Sequence, residues 1–362
     1  MRNIQKISDI LKITNAYKLA LGSKSITANL AGLEPTLWNE DGKYDIADLV
    51  SELTKNNCNV EMTTNGSNLM LYADRLINSG LSKCRVSIHS FDRSVYKKIT
   101  GRDNLNLVLD GIKFCNANNL KVIINRTLLK GFTDDIPQGL EFIQNENITL
   151  KLYDLWWVKR IEQQYNKYYI HWNEIIEKYV KPITSSIEDK TTEIHRNRTI
   201  YHLVKGGLVD VKHFNNALHD KFEICKSCTF KDKCKETFGS YIHIFSNGSL
   251  TFCNLREDIH LNLKPLLDKN ISVVELSNFL TLNFDEIIGH SWRDRLQEAD
   301  LRFYVNETCN YSCSFPNSKK GYNSLWCLSS VRTNETWDIN NYLSEPADGE
   351  LEKSLDAIPF CQ

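Results

Sequence analysis

The chain has 362 residues, enough for one large domain and a smaller one around a substantial buried core. Lys and Arg number 44 against 45 Asp and Glu, a net charge of -1 that leaves no electrostatic footprint for nucleic acid. No apolar run follows the opening MRNIQKISDILK and none reaches the length of a membrane span, so neither a signal peptide nor membrane insertion is expected. The 11 cysteines then point to a reducing, cytoplasmic setting in which clustered thiols bind metal.

Residues 4–21 place Ile7, Ile10, Leu11, Ile13 and Tyr17 close to a 3.6-residue period, which predicts an amphipathic helix. A short strand over 25–30 runs on into Gly32-Leu33-Glu34-Pro35. Helical spacing returns over 44–55, residues 59–66 read as strand and turn, and 69–79 as helix. Strands are predicted over 84–92, 120–129 and 148–157, with helices over 105–118 and 136–144 between them. Five strands alternating with helices before residue 160 argue for parallel βα units. Residues 158–222 are rich in tyrosine, lysine and histidine, with a helix predicted at 172–180, a polar linker at 184–199 and a turn at Gly206-Gly207.

Two cysteine groups follow. Cys225, Cys228 and Cys234 form a Cys-x2-Cys-x5-Cys loop, and a hairpin from Tyr241 to Cys253, turning at Ser246-Asn247-Gly248, brings the fourth thiol. Four thiols without a disulfide setting indicate a metal; spacing alone leaves tetrahedral zinc and an iron–sulfur cluster both open. Residues 255–300 read as helical. Then the β-favouring Leu301, Phe303, Tyr304 and Val305 lead into Cys309, Cys313 and, after a long interval, Cys327. Three thiolates on a loop after a strand suit an iron–sulfur cluster, and three ligands leave one iron open. The plainer reading of these three is ordinary cysteines, since the last spacing is irregular. Cys58, Cys84 and Cys115 read as buried small hydrophobes, and Trp156-Trp157 as core. His89, His171, His195 and His243 show no ligand spacing.

Cys309-Asn310-Tyr311-Ser312-Cys313 resembles the Cys-x3-Cys start of the cluster loop in radical S-adenosylmethionine (SAM) enzymes; Phe315-Pro316 stands where aromatic-Cys is expected, and Trp326-Cys327 restores that order later. Over roughly 1–155 the chain is similar to the molybdenum-cofactor biosynthesis protein A type. Gly32, Glu34 and Pro35 match a Gly-Gly-Glu-Pro turn from which Leu33 departs. Thr63-Thr64-Asn65-Gly66 matches Thr-Asn-Gly, and Val86-Ser87-Ile88-His89-Ser90 matches Val-Ser-x-Asp-Ser with His89 in place of the acid. Ile99 to Arg102 and Asn125 to Gly131 continue the match, and Cys225 to Cys253 resembles the twitch or SPASM auxiliary-cluster module.

The resemblance implies a partial (β/α)6 TIM-type barrel with a small Cys-rich module and chemistry at the strand ends. It places the cluster loop before the Gly-Gly-Glu strand, whereas here it comes far behind. Either the barrel is circularly permuted, which is the preferred reading, or 301–362 begins a truncated second barrel. Under permutation, 1–157 supplies strands two to six, 158–260 a linker and the auxiliary module, 261–300 a helical connection, and 301–345 the cluster strand and loop, with 346–362 a tail. The resemblance implies a [4Fe-4S] cluster on Cys309, Cys313 and Cys327 that binds SAM and cleaves it reductively to start hydrogen abstraction. Gly32, Glu34 and Pro35 would hold the methionine amine, Trp326 would flank adenine, and Thr64, Asn65, Ser87, Ser90 and Asn125 would line the remainder. A second iron–sulfur cluster, or zinc, would sit on Cys225, Cys228, Cys234 and Cys253. The substrate would be a small molecule or peptide, with peptide modification preferred over a nucleotide, and flavodoxin or ferredoxin would donate electrons. The rivals are a zinc-binding scaffold without activity and a pseudoenzyme that still binds SAM.

Overall fold

The computed structural model describes residues 6–32, 34–157, 162–190, 197–213, 223–234, 238, 241–253, 259–296 and 300–306. Helix α1 (Ile7–Leu21) buries Ile10, Ile13, Ala16, Tyr17 and Ala20 on one side and stops at Gly22, whose φ of 70° suits a residue without a Cβ. Strand β1 (Ile26–Gly32) comes next, then a 3-10 turn at Pro35–Leu37 and a small ribbon of β2 (Asn39–Glu40) and β3 (Tyr44–Asp45). Helix α2 (Ile46–Lys55) starts where it does because Asp45 accepts the N–H of Ala47 and Asp48 while Asp48 accepts that of Asp45, a capping box. Four further strands follow with their helices: β4 (Cys58–Thr64), α3 (Leu69–Asn78), β5 (Lys83–Ser87), α4 (Arg93–Thr100), α5 (Leu105–Ala117), β6 (Lys121–Thr127), α6 (Ile136–Glu146) and β7 (Thr149–Tyr153).

The second half contributes α7 (Glu162–Tyr168), α8 (Trp172–Ile175) prolonged by a π-helical turn at Ile176–Val180, and strands β8 (Thr184–Lys190), β9 (Asn197–Leu203) and β10 (Leu208–His213). After α9 (Glu223–Lys226) come β11 (Tyr241–Phe245), β12 (Ser249–Thr251) and β13 (His260–Asn262). Helices α10 (Lys264–Asp268), α11 (Val273–Ile288) and α12 (Trp292–Leu296) lead to β14 (Asp300–Asn306).

One sheet takes up all but the ribbon strands, in the order β13-β12-β11-β14-β1-β4-β5-β6-β7-β10-β9-β8. From β11 through to β10 every neighbouring pair is parallel. The fold is therefore α/β with a parallel-rich sheet. The six expected strands are the run β14-β1-β4-β5-β6-β7, and β11 and β10 add one parallel strand at each side. β14 lies against β1 with Ala28 opposite Leu301, Leu30 opposite Phe303 and Gly32 opposite Asn306, although most of the chain separates them. The helix layer fixes this pairing. Tyr17 of α1 meets Phe284 of α11 edge-on at 6.4 Å between ring centres, and its hydroxyl donates to the Leu296 carbonyl at 3.2 Å. Arg293 Nε donates to the Ala20 carbonyl at 2.9 Å, and Phe284 packs on Trp292 at 5.0 Å.

Several expectations change, among them 255–300, predicted to be helical, which holds strand β13 ahead of α10, α11 and α12. The polar linker at 184–199 holds β8 and the start of β9, an antiparallel pair continued by β10. β8 is exposed along nearly its whole length, so backbone pairing holds it and no apolar alternation marks it. The strand predicted to 92 ends at Ser87, because Ser90 and Asp92 turn the chain into α4, with Asp92 accepting the Val95 N–H at 2.8 Å. The helix predicted over 172–180 is α8 followed by the π-helical turn.

Candidate active site

The carboxyl ends of the parallel strands converge on one edge of the sheet, where polar residues collect. Gly32 ends β1 with φ 131°, and Glu34, two residues on, is wholly buried. Its Oε1 accepts from Thr36 N at 3.1 Å, Thr36 Oγ1 at 2.6 Å and Thr64 Oγ1 at 2.6 Å, while Oε2 accepts from Asn65 N at 2.7 Å. One carboxylate thus ties the end of β1 to the end of β4. Burial pushes its pKa up, against the pull of the hydrogen bonds from Thr36, Thr64 and Asn65. Pro35, Thr64 and Gly66 are buried beside it; Asn65 is partly exposed, and its side-chain oxygen takes the Ser67 N–H at 2.8 Å. Thr36, which the sequence reading passed over, is the central partner; its place two residues after an acid at a turn was the available signal.

Ser87 ends β5 partly exposed, opposite Asn125 on β6. Asn125 is 8% exposed, and its buried side-chain oxygen finds no hydrogen-bond partner among the described residues. His89 is likewise buried: Nδ1 accepts the Thr127 N–H at 3.5 Å, while Nε2 finds no partner among the described residues. Burial, then the charge of Arg126, pushes its pKa down to about 4, so the ring is neutral at pH 7. Ser90 is wholly buried and donates to Asp135 Oδ2 at 2.7 Å. Asp135 also accepts the N–H groups of Phe91 and Asp92 and pairs with Arg126, Nη2 lying 2.5 Å from Oδ1. Burial would raise Asp135, but the Arg126 guanidinium and the hydrogen bonds hold it below the usual carboxylate range. This pair was also missed: Asp135 sits in a loop ahead of α6, with nothing in its spacing to link it to Ser90.

Cys225, Cys228, Cys234 and Cys253 are partly exposed. The Cys228 N–H donates to the Cys225 carbonyl at 3.2 Å and the Lys231 N–H to that of Cys228 at 3.1 Å, so tight turns hold the first three together in sequence. Phe230 in this loop packs on Trp157 at 5.9 Å, linking it to the segment after β7. Among the described residues no three or more His, Cys, Asp or Glu side chains are drawn together as a ready metal site. Cys58, Cys84 and Cys115 are buried core thiols, and His243 stacks on Tyr304 with Nδ1 3.1 Å from its hydroxyl. Cys309, Cys313, Trp326 and Cys327 lie outside the described residues, as does Leu33. No described helix is long and apolar enough to cross a membrane.

A parallel α/β sheet with its polar residues at the carboxyl strand ends is the arrangement on which barrel enzymes place their chemistry. The family model for the radical SAM superfamily matches residues 5–143. That segment matches the domain of a superfamily of enzymes whose cofactors are SAM and a [4Fe-4S] cluster. Similar curated proteins include a probable GTP 3',8-cyclase of Thermococcus kodakarensis, 29% identical over 232 residues covering 63% of this chain and 69% of that protein. Another from Pyrococcus horikoshii is 27% identical over 259 residues, 71% and 76% of the two chains. The GTP 3',8-cyclase of Marinobacter nauticus is 31% identical over 152 residues, 41% and 44%. Among solved structures, Streptococcus suis SuiB bound to S-adenosylmethionine aligns with TM-score 0.47 and 17% identity, over 76% of this chain and 61% of SuiB. In a second crystal structure of SuiB the chain spans 54% of that protein, with TM-score 0.42, 16% identity and 69% of this chain covered.

Proposed function

We propose that this chain cleaves SAM reductively and abstracts hydrogen from a substrate, with Cys309, Cys313 and Cys327 as the ligands of its [4Fe-4S] cluster. The observation that carries this is the parallel pairing of β14 with β1. It brings Asn306 opposite Gly32, so the chain leaves β14 at the edge where Glu34 and Asn65 end their strands, three residues before Cys309. The same pairing supports circular permutation, with 301–345 completing the barrel begun by 1–157. The residues at the edge suit a polar ligand: buried side-chain atoms of Asn125 and His89 have no partners among the described residues.

When bound, the cluster and SAM together supply a carbon radical that takes a hydrogen atom from substrate. The chain's own part is to bind, orient and exclude water. The turn at Gly32, Glu34 and Pro35 would receive the amino group of SAM, and Glu34, braced by Thr36, Thr64 and Asn65, keeps that turn in place. Asn125 and Ser87 would line the ribose and carboxylate side and Trp326 would serve the adenine, while Ser90 sets the loop after β5 through Asp135. Cys225, Cys228, Cys234 and Cys253 hold a second iron–sulfur cluster, with zinc as the alternative metal. The substrate is a peptide on this reading; the names of the GTP 3',8-cyclase relatives favour a nucleotide as the second reading. Flavodoxin or ferredoxin donates the electron, in a reducing cytoplasm that keeps the thiols reduced.

Anaerobic reconstitution tests the proposal. The protein should turn brown, take up about eight irons for two cubane clusters, and release 5′-deoxyadenosine from SAM with dithionite. About four irons plus one zinc would assign zinc to the 225–253 thiols. A colourless protein would leave only a SAM-binding or zinc-binding scaffold.

A further inference from the structure

We propose that Asn68, which opens α3, is a positioning residue for the Glu34 turn: through the Thr36 hydroxyl it fixes the carboxylate that keeps this turn in the shape its ligand meets. That the ligand is SAM rests on the radical SAM reading above; the relay from Asn68 to Glu34 stands on the hydrogen bonds that follow.

Glu34 takes the backbone N–H of Thr36 on one oxygen and that of Asn65 on the other, so both oxygens act as acceptors. The two hydroxyls beside it must then spend their single protons on it. Thr36 Oγ1 and Thr64 Oγ1 each lie 2.6 Å from Oε1. A hydroxyl committed in this way meets its other neighbours only as an acceptor. Thr64 Oγ1 takes the Gly66 N–H at 2.9 Å, and Thr36 Oγ1 takes Asn68 Nδ2 at 3.1 Å. The relay from Asn68 through Thr36 to Glu34 therefore runs in one direction, and Asn68 faces Thr36 with its amide nitrogen, never its oxygen.

A second, independent observation concerns what Asn68 gives up. It occupies the N-cap of α3, where an Asn side chain ordinarily accepts an N–H of the first helical turn, yet it makes no such bond. The same happens one helix further on. Asn104, the N-cap of α5, makes no cap bond either; its Nδ2 donates to Ser67 Oγ at 3.0 Å, while its Oδ1 is buried with no partner among the described residues. The Ser67 N–H goes to Asn65 Oδ1 at 2.8 Å, and the Asn65 N–H to Glu34 Oε2 at 2.7 Å. Two helix heads thus forgo their caps to brace one buried carboxylate, Asn68 on the Oε1 side and Asn104 on the Oε2 side. A side chain serving only the stability of the fold would close its own helix, and local rules broken in this way mark functional sites.

Asn68→Ser, which can still cap α3 but falls short of Thr36, tests the relay, with Thr36→Val removing the middle proton and Thr36→Ser as the rescue. On the full chain without cluster or SAM, amide hydrogen exchange is read at Thr36 and Asn65, the two N–H groups held by Glu34. It should quicken by about tenfold in Asn68→Ser and Thr36→Val, as the loss of one buried hydrogen bond does, and stay slow in Thr36→Ser. Exchange in β6 should not change, and Asn68→Ser should melt no lower than the unsubstituted protein. On the anaerobically reconstituted chain, calorimetry should show SAM held about tenfold more weakly by Asn68→Ser and Thr36→Val and undiminished by Thr36→Ser. Unchanged exchange at Thr36 and Asn65 in Asn68→Ser would overturn the relay. So would a rise shared by β6 with a lower melting temperature, which would make Asn68 a residue of general stability. Faster exchange with unchanged SAM affinity would overturn its bearing on the ligand. Exchange is read without cluster or SAM, so failure of the relay is distinct from failure of the radical SAM reading, which an unsubstituted protein that binds no SAM would mark.

Discussion

His89 stands at the barrel mouth as a neutral, buried ring, and its titration gives the molecule a measurable acid weakness. Its folded-state pKa, about 4, lies below the ordinary 6.5, so between those pH values the unfolded chain takes up a proton that the folded one refuses. Stability attributable to His89 is whole above pH 6.5 and lost as pH falls toward 4. Denaturant melts across this range should show roughly 3 kcal/mol less loss for His89→Gln than for the unsubstituted protein. Asp135 is the opposite case. Its carboxylate holds Ser90, the loop N–H groups and the buried Arg126, so Asp135→Asn leaves a buried guanidinium uncompensated and should cost about 3–5 kcal/mol in the same melts. Glu34→Gln replaces one acceptor oxygen by an amide nitrogen, so either the Asn65 N–H at Oε2 or the Thr64 hydroxyl at Oε1 loses its acceptor, a loss of about 1–3 kcal/mol. Of these residues Glu34, Asn65, Ser90 and Asn125 were legible in the sequence as motif positions. Arg126, Asp135 and Thr36 were not, because a partner 45 residues from Ser90 in the chain is brought close only by the fold.

At the scale of elements, strands with buried alternate positions announced themselves. β1, β4, β5, β6, β7, β11 and β14 each carry Val, Ile, Leu or Phe against the helices, and that periodicity is readable without coordinates. β8 has no such face, and α4 offers only Val95, Tyr96 and Ile99 among eight residues, so neither stood out. The helix pair α1 and α11 matters most to the candidate site, since it clamps the two distant segments that bring β14 to β1. Phe284 joins Tyr17, Phe252 and Trp292 in one aromatic cluster. Phe284→Ala should cost about 3–5 kcal/mol. It should also raise amide hydrogen exchange in β14 above that in β5, which α11 does not cover; equal rates in the two strands would mean that α11 does not hold β14.

For the whole molecule, the proposed reading reconciles the separation in sequence between the Glu34 turn and the cysteines through one parallel pairing. The first half of the chain reads as a barrel lacking a strand, and β14 occupies the place beside β1 with its carboxyl end at the common mouth. The interior beneath that mouth was less legible. Arg85, Lys151 and Asp210 each look like solvent-facing residues of a half-exposed strand until the sheet curls and turns that face inward. The most direct measurement of the central claim is 5′-deoxyadenosine formation by the anaerobically reconstituted chain, compared with Cys309→Ala, Cys313→Ala and Cys327→Ala. The account predicts that each substitution abolishes SAM cleavage and removes about four irons. Cleavage that persists in any of the three would place the SAM-binding cluster elsewhere and contradict it.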